Sequence, residues 1–125
     1  MAKTYRQKIG HWGETIALQW LTNRGYVCLE RNVYSAHGEL DLIMLKEDVY
    51  YFIEVKTRRN DNYGLAEFSM TRKKIAALLR AINQYLHDKA LDEVEWQLDL
   101  IVVEKFEKDQ EPEILHFERL GEYDD

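Results

Sequence analysis

The sequence predicts an α/β domain, a mixed β-sheet flanked by helices in the order α-β-β-β-α-β-β. Three observations lead there. Residues 8–24 and about 71–88 carry apolar side chains at helical spacing. The segments between and after them are runs of β-branched and aromatic residues bounded by polar or glycine-containing turns. The strand ending near Arg59 and the one beginning near Val94 are separated by a helix, which calls for a right-handed crossover between parallel strands, whereas the earlier strands are close enough to form hairpins.

The first helix runs from Lys8 to Arg24, with Ile9, Trp12, Ile16, Ala17, Trp20 and Leu21 on one stripe and Gly25 as its stop. At 100° per residue Glu14 falls on the edge of that stripe, beside Leu21. Tyr26 to Val33 reads as the first strand, with Cys28 as a small buried hydrophobe, and Ser35-Ala-His-Gly38 turns into the second. That strand carries Gly38-Glu39-Leu40-Asp41 followed by four apolar residues, Leu42 to Leu45. After the polar break at Lys46-Glu47-Asp48 comes a third, Val49 to Arg59, containing Glu54 and Lys56. Asn60 to Gly64 has the composition of a loop. Ser69 or Thr71 can cap a second helix reaching about Asp88, with Ile75, Leu78, Leu79, Ile82, Tyr85 and Leu86 on its buried face. Lys74 lies on the flank of that face and is better aimed at the sheet than Lys73. Val94 to Val103 is a fourth strand, apolar on both faces and interrupted by Asp99. A charged turn from Glu104 to Glu113, containing the sole proline, Pro112, leads to a short edge-like strand from Glu113 to Arg119. Residues 1–119 thus form one domain, and 120–125 an acidic tail expected to fray without joining the core.

Charge is unevenly placed. The net charge of −6 resides in residues 104–125, which hold nine acids and three bases. Between Lys56 and Lys74 six bases face two acids. A basic zone on a neutral body suits brief phosphate contact and argues against tight, unspecific coating of DNA. One cysteine cannot form an internal disulfide, the N-terminus has no signal-like apolar stretch, and no 18-residue apolar run could span a membrane. A reducing cytoplasm is the expected location, with no membrane partner.

Asp41, Glu54 and Lys56 are charges set in or beside apolar strands, where desolvation costs several kcal/mol unless a partner or a metal compensates. Glu54 and Lys56 share a face about 6.6 Å apart. Asp41 joins them only in certain registers. With a four-residue loop (46–49), Leu45 faces Tyr50 and Asp41 lies across from Glu54 at about 5 Å between Cβ atoms, and a two-residue loop restores the shared face diagonally. A three-residue loop would instead place it opposite Ile53, on the other side of the sheet. Two carboxylates that close repel unless a proton or cation lies between them. Mg²⁺ (or Mn²⁺) needs only one or two protein carboxylates besides water and substrate phosphate, and a neighbouring lysine can handle the attacking water. That is equipment for hydrolysing a phosphodiester. By itself Glu-x-Lys also fits an exposed strand ladder; the apolar runs around it argue for central strands.

Gly38-Glu39-Leu40-Asp41, twelve residues, then Glu54-Val55-Lys56 resembles the core motif of the PD-(D/E)xK, restriction-endonuclease-like nucleases. Residues 8–118 more closely resemble the YraN-like endonuclease family, related in fold to archaeal Holliday-junction resolvases. Gly10-x-x-Gly13-Glu14, Arg31-Asn32, Tyr63-Gly64, Lys74 and Leu98-Asp99 add to the likeness. The resemblance implies a restriction-endonuclease-like fold in which Asp41 and Glu54 bind metal, Lys56 assists the water and Glu14 is a fourth catalytic residue. Arg58, Arg59, Arg72 and Lys74 become DNA contacts, and Glu39 and Asp99 supporting groups. DNA, rather than RNA, is the implied partner, with a homodimer compatible. The alternative is a nucleic-acid-binding module that keeps the nuclease fold without turnover. Leu40 stands in the place of the superfamily's proline, and Gln97 where the family usually has arginine. Lys74 and Asp99 could equally form a structural ion pair. Other chemistries lack their residues: His11, His37, His87 and His116 show no ligand spacing, Gly10-x-x-Gly13 has no phosphate-loop lysine, and no serine sits in a nucleophile elbow.

Overall fold

A computed structural model describes residues 4–59 and 70–121. Its elements follow the expected order: α1 (Tyr5–Thr22), β1 (Val27–Ser35), β2 (Gly38–Lys46), β3 (Val49–Arg59), α2 (Arg72–Asp88), β4 (Glu95–Lys105) and β5 (Glu113–Phe117). The five strands form one sheet in sequence order. β3 and β4 are parallel and every other pair is antiparallel, giving the mixed sheet. This architecture is consistent with a restriction-endonuclease-like fold. Asn60 to Gly64 and Ser69 lie outside the described residues.

α1 begins earlier than its apolar stripe because Thr4 and Gln7 form a capping box. Thr4 Oγ1 accepts from the Gln7 amide at 3.1 Å, and Gln7 Oε1 accepts from the Thr4 amide at 2.9 Å. Thr71 caps α2, accepting from the Lys74 amide at 3.1 Å. The helices cover opposite faces of the sheet. Ala17 and Leu21 of α1 pack with Leu42, Met44, Ile53, Ile101 and Val103; Leu78, Ile82 and Leu86 of α2 pack with Ile43, Phe52 and Leu98. Full burial of side chains such as Phe52 and Leu42 stabilises by about 1.5–3 kcal/mol each. α1 approaches β3 closely at Gly13, where a Cβ would collide with Thr57 Oγ1 and lie 3.3 Å from Thr57 Cβ.

Two backbone features set the register around the charged residues. Glu47 and Asp48 both have positive φ (50° and 67°) and form a two-residue turn between Lys46 and Val49. Leu45 therefore faces Tyr50 and Leu42 faces Ile53, so that one step further Asp41 stands opposite Glu54. In β1, Asn32 is left-handed (φ 52°) between the pairs Arg31–Leu42 and Val33–Leu40. Leu40 packs on the α2 side and Leu42 on the α1 side, although simple alternation would put both on one face. The sidedness of β2 thus changes at Asp41.

Two boundaries depart from expectation. Leu120, at the start of the tail expected to fray, donates its amide to Leu98 O at 2.7 Å and packs against the α2-side core. Glu104, read as the start of a charged turn, lies within β4, buried and paired with Arg58 at 2.8 Å. Among the described residues no helix is long and apolar enough to cross a membrane.

Candidate metal centre

Where β2 parts from β3, Asp41 and Glu54 are 9% and 8% exposed, among apolar neighbours that would not tolerate lone charges. Asp41 Oδ2 accepts from the Val55 amide at 2.9 Å, a side chain filling the place of the β-ladder. The Glu54 carboxyl adjoins that of Asp41, and two carboxylates so placed repel unless a proton or cation lies between them. Burial first, and then the charge of Glu54, pushes Asp41 up to about 9, against the opposing pull of the Val55 amide. Asp41 accordingly holds its proton at neutral pH.

Two more carboxylates arrive from the side of α1. Glu14, Glu39 and Asp41 each present an oxygen within 4.8 Å of the other two. Asn32 Nδ2 donates to Glu14 Oε1 at 2.9 Å and to Glu39 Oε1 at 2.7 Å. Burial raises the Glu14 pKa; the Asn32 bond opposes this, and Glu39 adds to it. Arg31 Nη2 stands 3.9 Å from Glu14 Oε1. Its Nε and Nη2 are shut from solvent without a hydrogen-bond partner among the described residues, an arrangement that costs stability.

On the other side, Lys56 follows Glu54 by two positions on β3. Burial lowers its pKa, a hydrogen bond with Lys74 lowers it further, and Glu54 and Asp41 pull it back up. Lys74 enters from the first turn of α2. Glu14, Glu39, Asp41, Glu54, Lys56 and Lys74 thus gather where the two helices and the β2–β3 split meet. Four oxygen-donor side chains with a replaceable proton suit a hard divalent cation, and a lysine with a lowered pKa suits proton transfer.

Residues 13–103, which include all six, match the sequence pattern of the family described as "Uncharacterised protein family UPF0102". The chain belongs to this family. It is similar to a UPF0102 protein of Syntrophomonas wolfei, 40% identical over 100 residues, covering 78% of this chain and 87% of the relative. A UPF0102 protein of Clostridium perfringens is 36% identical over 101 residues, or 81% and 83% of the two chains. One from Syntrophotalea carbinolica is 35% identical over 112 residues, or 90% and 89%.

The basic residues of this UPF0102 chain are placed unequally. Arg58 is paired with Glu104 at 2.8 Å and lies 5.6 Å from the Phe106 ring centre. Arg59 lies over Trp12 at 5.2 Å, and Arg72 is the exposed first residue of α2. Asp99 stands apart from the carboxylate cluster and makes no ion pair with Lys74 among the described residues. It is fully buried, with Oδ2 2.8 Å from His116 Nε2 and Oδ1 accepting from Gln97 Nε2 at 2.9 Å and the Arg119 amide at 3.0 Å. Asp99, His116 and Glu118 bring ligand-type atoms within 4.8 Å of one another, although the histidine spacing in the sequence gave no sign of it. The β4–β5 pairing, which sets Ile101 opposite His116, creates that neighbourhood. Both Asp99 oxygens already have partners, so this network accounts for its own buried charge. The sequence also gave no role to Asn32 beyond its place in a motif. Its signal was a polar residue in a strand that can adopt left-handed backbone.

Proposed function

We propose that this UPF0102 chain is a divalent-metal-dependent DNA endonuclease that hydrolyses phosphodiester bonds, with branched or damaged DNA as its substrate. The carrying observation is the pair Asp41–Glu54: two adjoining buried carboxyls, with Asp41 pushed up to about 9 and Lys56 beside them. A fold gains no stability from such a pair, which makes sense where a cation replaces the proton. The resemblance to PD-(D/E)xK nucleases independently points to the same residues.

The donor set fits Mg²⁺ or Mn²⁺, since Glu14, Glu39 and Asp41 bring carboxylate oxygens within 4.8 Å of one another and Glu54 adds a fourth carboxyl beside Asp41. Asp41 and Glu54 would hold the ion, with Glu14 reaching in from α1. When bound, such an ion polarises the phosphate and acidifies water. Lys56, shifted toward its neutral form, takes a proton from the attacking water. Lys74, beside it, carries positive charge for the phosphate oxygens. Arg59 at the end of β3, Arg72 at the start of α2 and Arg58, paired with Glu104, would meet the DNA backbone.

The test is incubation with linear, flapped and four-way DNA in Mg²⁺, Mn²⁺ or EDTA. Cleavage should require metal and vanish in Asp41→Asn. Lys56→Met should still bind Mn²⁺ and DNA but cleave on the order of 10²-fold more slowly. DNA binding without cleavage of any substrate would favour the non-catalytic module, and neither binding nor cleavage would overturn both.

A further inference from the structure

We infer that Asn32 is a positioning residue for the metal centre: its side-chain amide holds Glu14 and Glu39, from two different elements, against Asp41. The inference rests on the metal-dependent reading above and extends it to a residue that is neither ligand nor proton carrier.

Glu14 belongs to α1 and Glu39 to β2, and nothing in the backbone forces their carboxylates together. Like charges brought this close repel unless a donor or cation intervenes. Asn32 Nδ2 lies 2.9 Å from one carboxylate and 2.7 Å from the other, so the two N–H groups of a single nitrogen are both engaged. Asn32 adopts φ 52°, a region that asparagine tolerates and most residues do not. It sits between the pairs Arg31–Leu42 and Val33–Leu40, at the step facing Asp41. The left-handed residue therefore lies where β2 changes sidedness, and its amide lies where the acids converge. Aspartate at this position would have the same shape but no donor. Arg31, the preceding residue, adds its guanidinium 3.9 Å from Glu14 and completes the electrostatic support.

The expected effect is on cation affinity. Groups that hydrogen-bond to metal ligands typically contribute 10- to 100-fold to affinity. Asn32→Gly keeps the left-handed backbone available and removes the amide. Titration calorimetry with Mn²⁺ on the full chain should show binding weakened on the order of 10-fold or more, with the metal-free melting temperature little changed. Asn32→Ser, too short to reach either carboxylate, should show the same loss and serves if the glycine variant does not fold. Because Asn32 acts through the two glutamates, the losses from Asn32→Gly and Glu14→Gln should not multiply in the double variant. Parent-like Mn²⁺ affinity in the variant that folds would overturn the inference, as would full independence from Glu14→Gln. If the parent chain itself binds no Mn²⁺, the metal-dependent reading fails, and with it the role of Asn32.

Discussion

Asp41 titrates in a range that makes its burial measurable without any substrate. Its pKa is raised from 3.8 to about 9 in the folded protein, so between those values the folded state holds a proton that the unfolded chain has released. The folded state binds more protons there, and stability must fall as pH rises through that window. Asp41→Asn removes the titration and is expected to raise the melting temperature at pH 8, by on the order of 5 °C, while changing it little near pH 4. Thermal denaturation of both proteins at the two pH values, without metal, checks it; equal melting temperatures at pH 8 would contradict a protonated Asp41. Asp99 illustrates the opposite case, a buried carboxylate with every partner in place. His116→Ala should destabilise by about 1–3 kcal/mol, because it leaves Asp99 Oδ2 buried without its partner. Adding Asp99→Asn should recover part of that loss. Urea denaturation of the single and double variants measures the coupling; strict additivity would mean the two residues do not act as a pair.

At the scale of elements, the contact between α1 and β3 fixes how Glu14 is delivered. Gly13, its neighbour, has room for no side chain against Thr57. Gly13→Ala should cost about 1–3 kcal/mol despite alanine's better helix propensity. Combined with Thr57→Ala, which clears the colliding atoms, most of that cost should disappear. A Gly13→Ala protein as stable as the parent would show that the helix can shift without penalty. The elements themselves were legible because each has a strong period or a cap: Ile9 to Leu21, Ile75 to Leu86, and Thr71 ahead of α2. Glu54 and Lys56 were legible as a pair since two residues on a strand share a face whatever the fold. Asp41 was legible only conditionally. Its side depended on a turn whose geometry rests on positive φ at Glu47 and Asp48, residues with no glycine to announce it. Asn32, His116 and Leu120 were not legible in their roles, because Glu14, Asp99 and Leu98 lie far from them in sequence and meet them only through strand pairing and packing.

For the molecule as a whole, the acidic C-terminal segment from Glu104 is less of an appendage than its composition suggests. Glu104 is tied to Arg58 and Leu120 to β4, so this segment helps hold the sheet on the side away from β1. The proton that Asp41 holds beside Glu54 reaches beyond the site, into the surrounding solution. On the proposed reading, a cation can enter only by expelling it, so loading the protein with Mn²⁺ is also an acid-producing reaction. In a weakly buffered sample each equivalent of ion should release close to one equivalent of acid at pH 7, and the measured heat should change with the buffer that absorbs it. The apparent affinity should rise about tenfold for each step of one pH up to about 9 and then level off. The protein would then carry less metal in acid than in alkali, with ambient acidity setting how much of it is loaded.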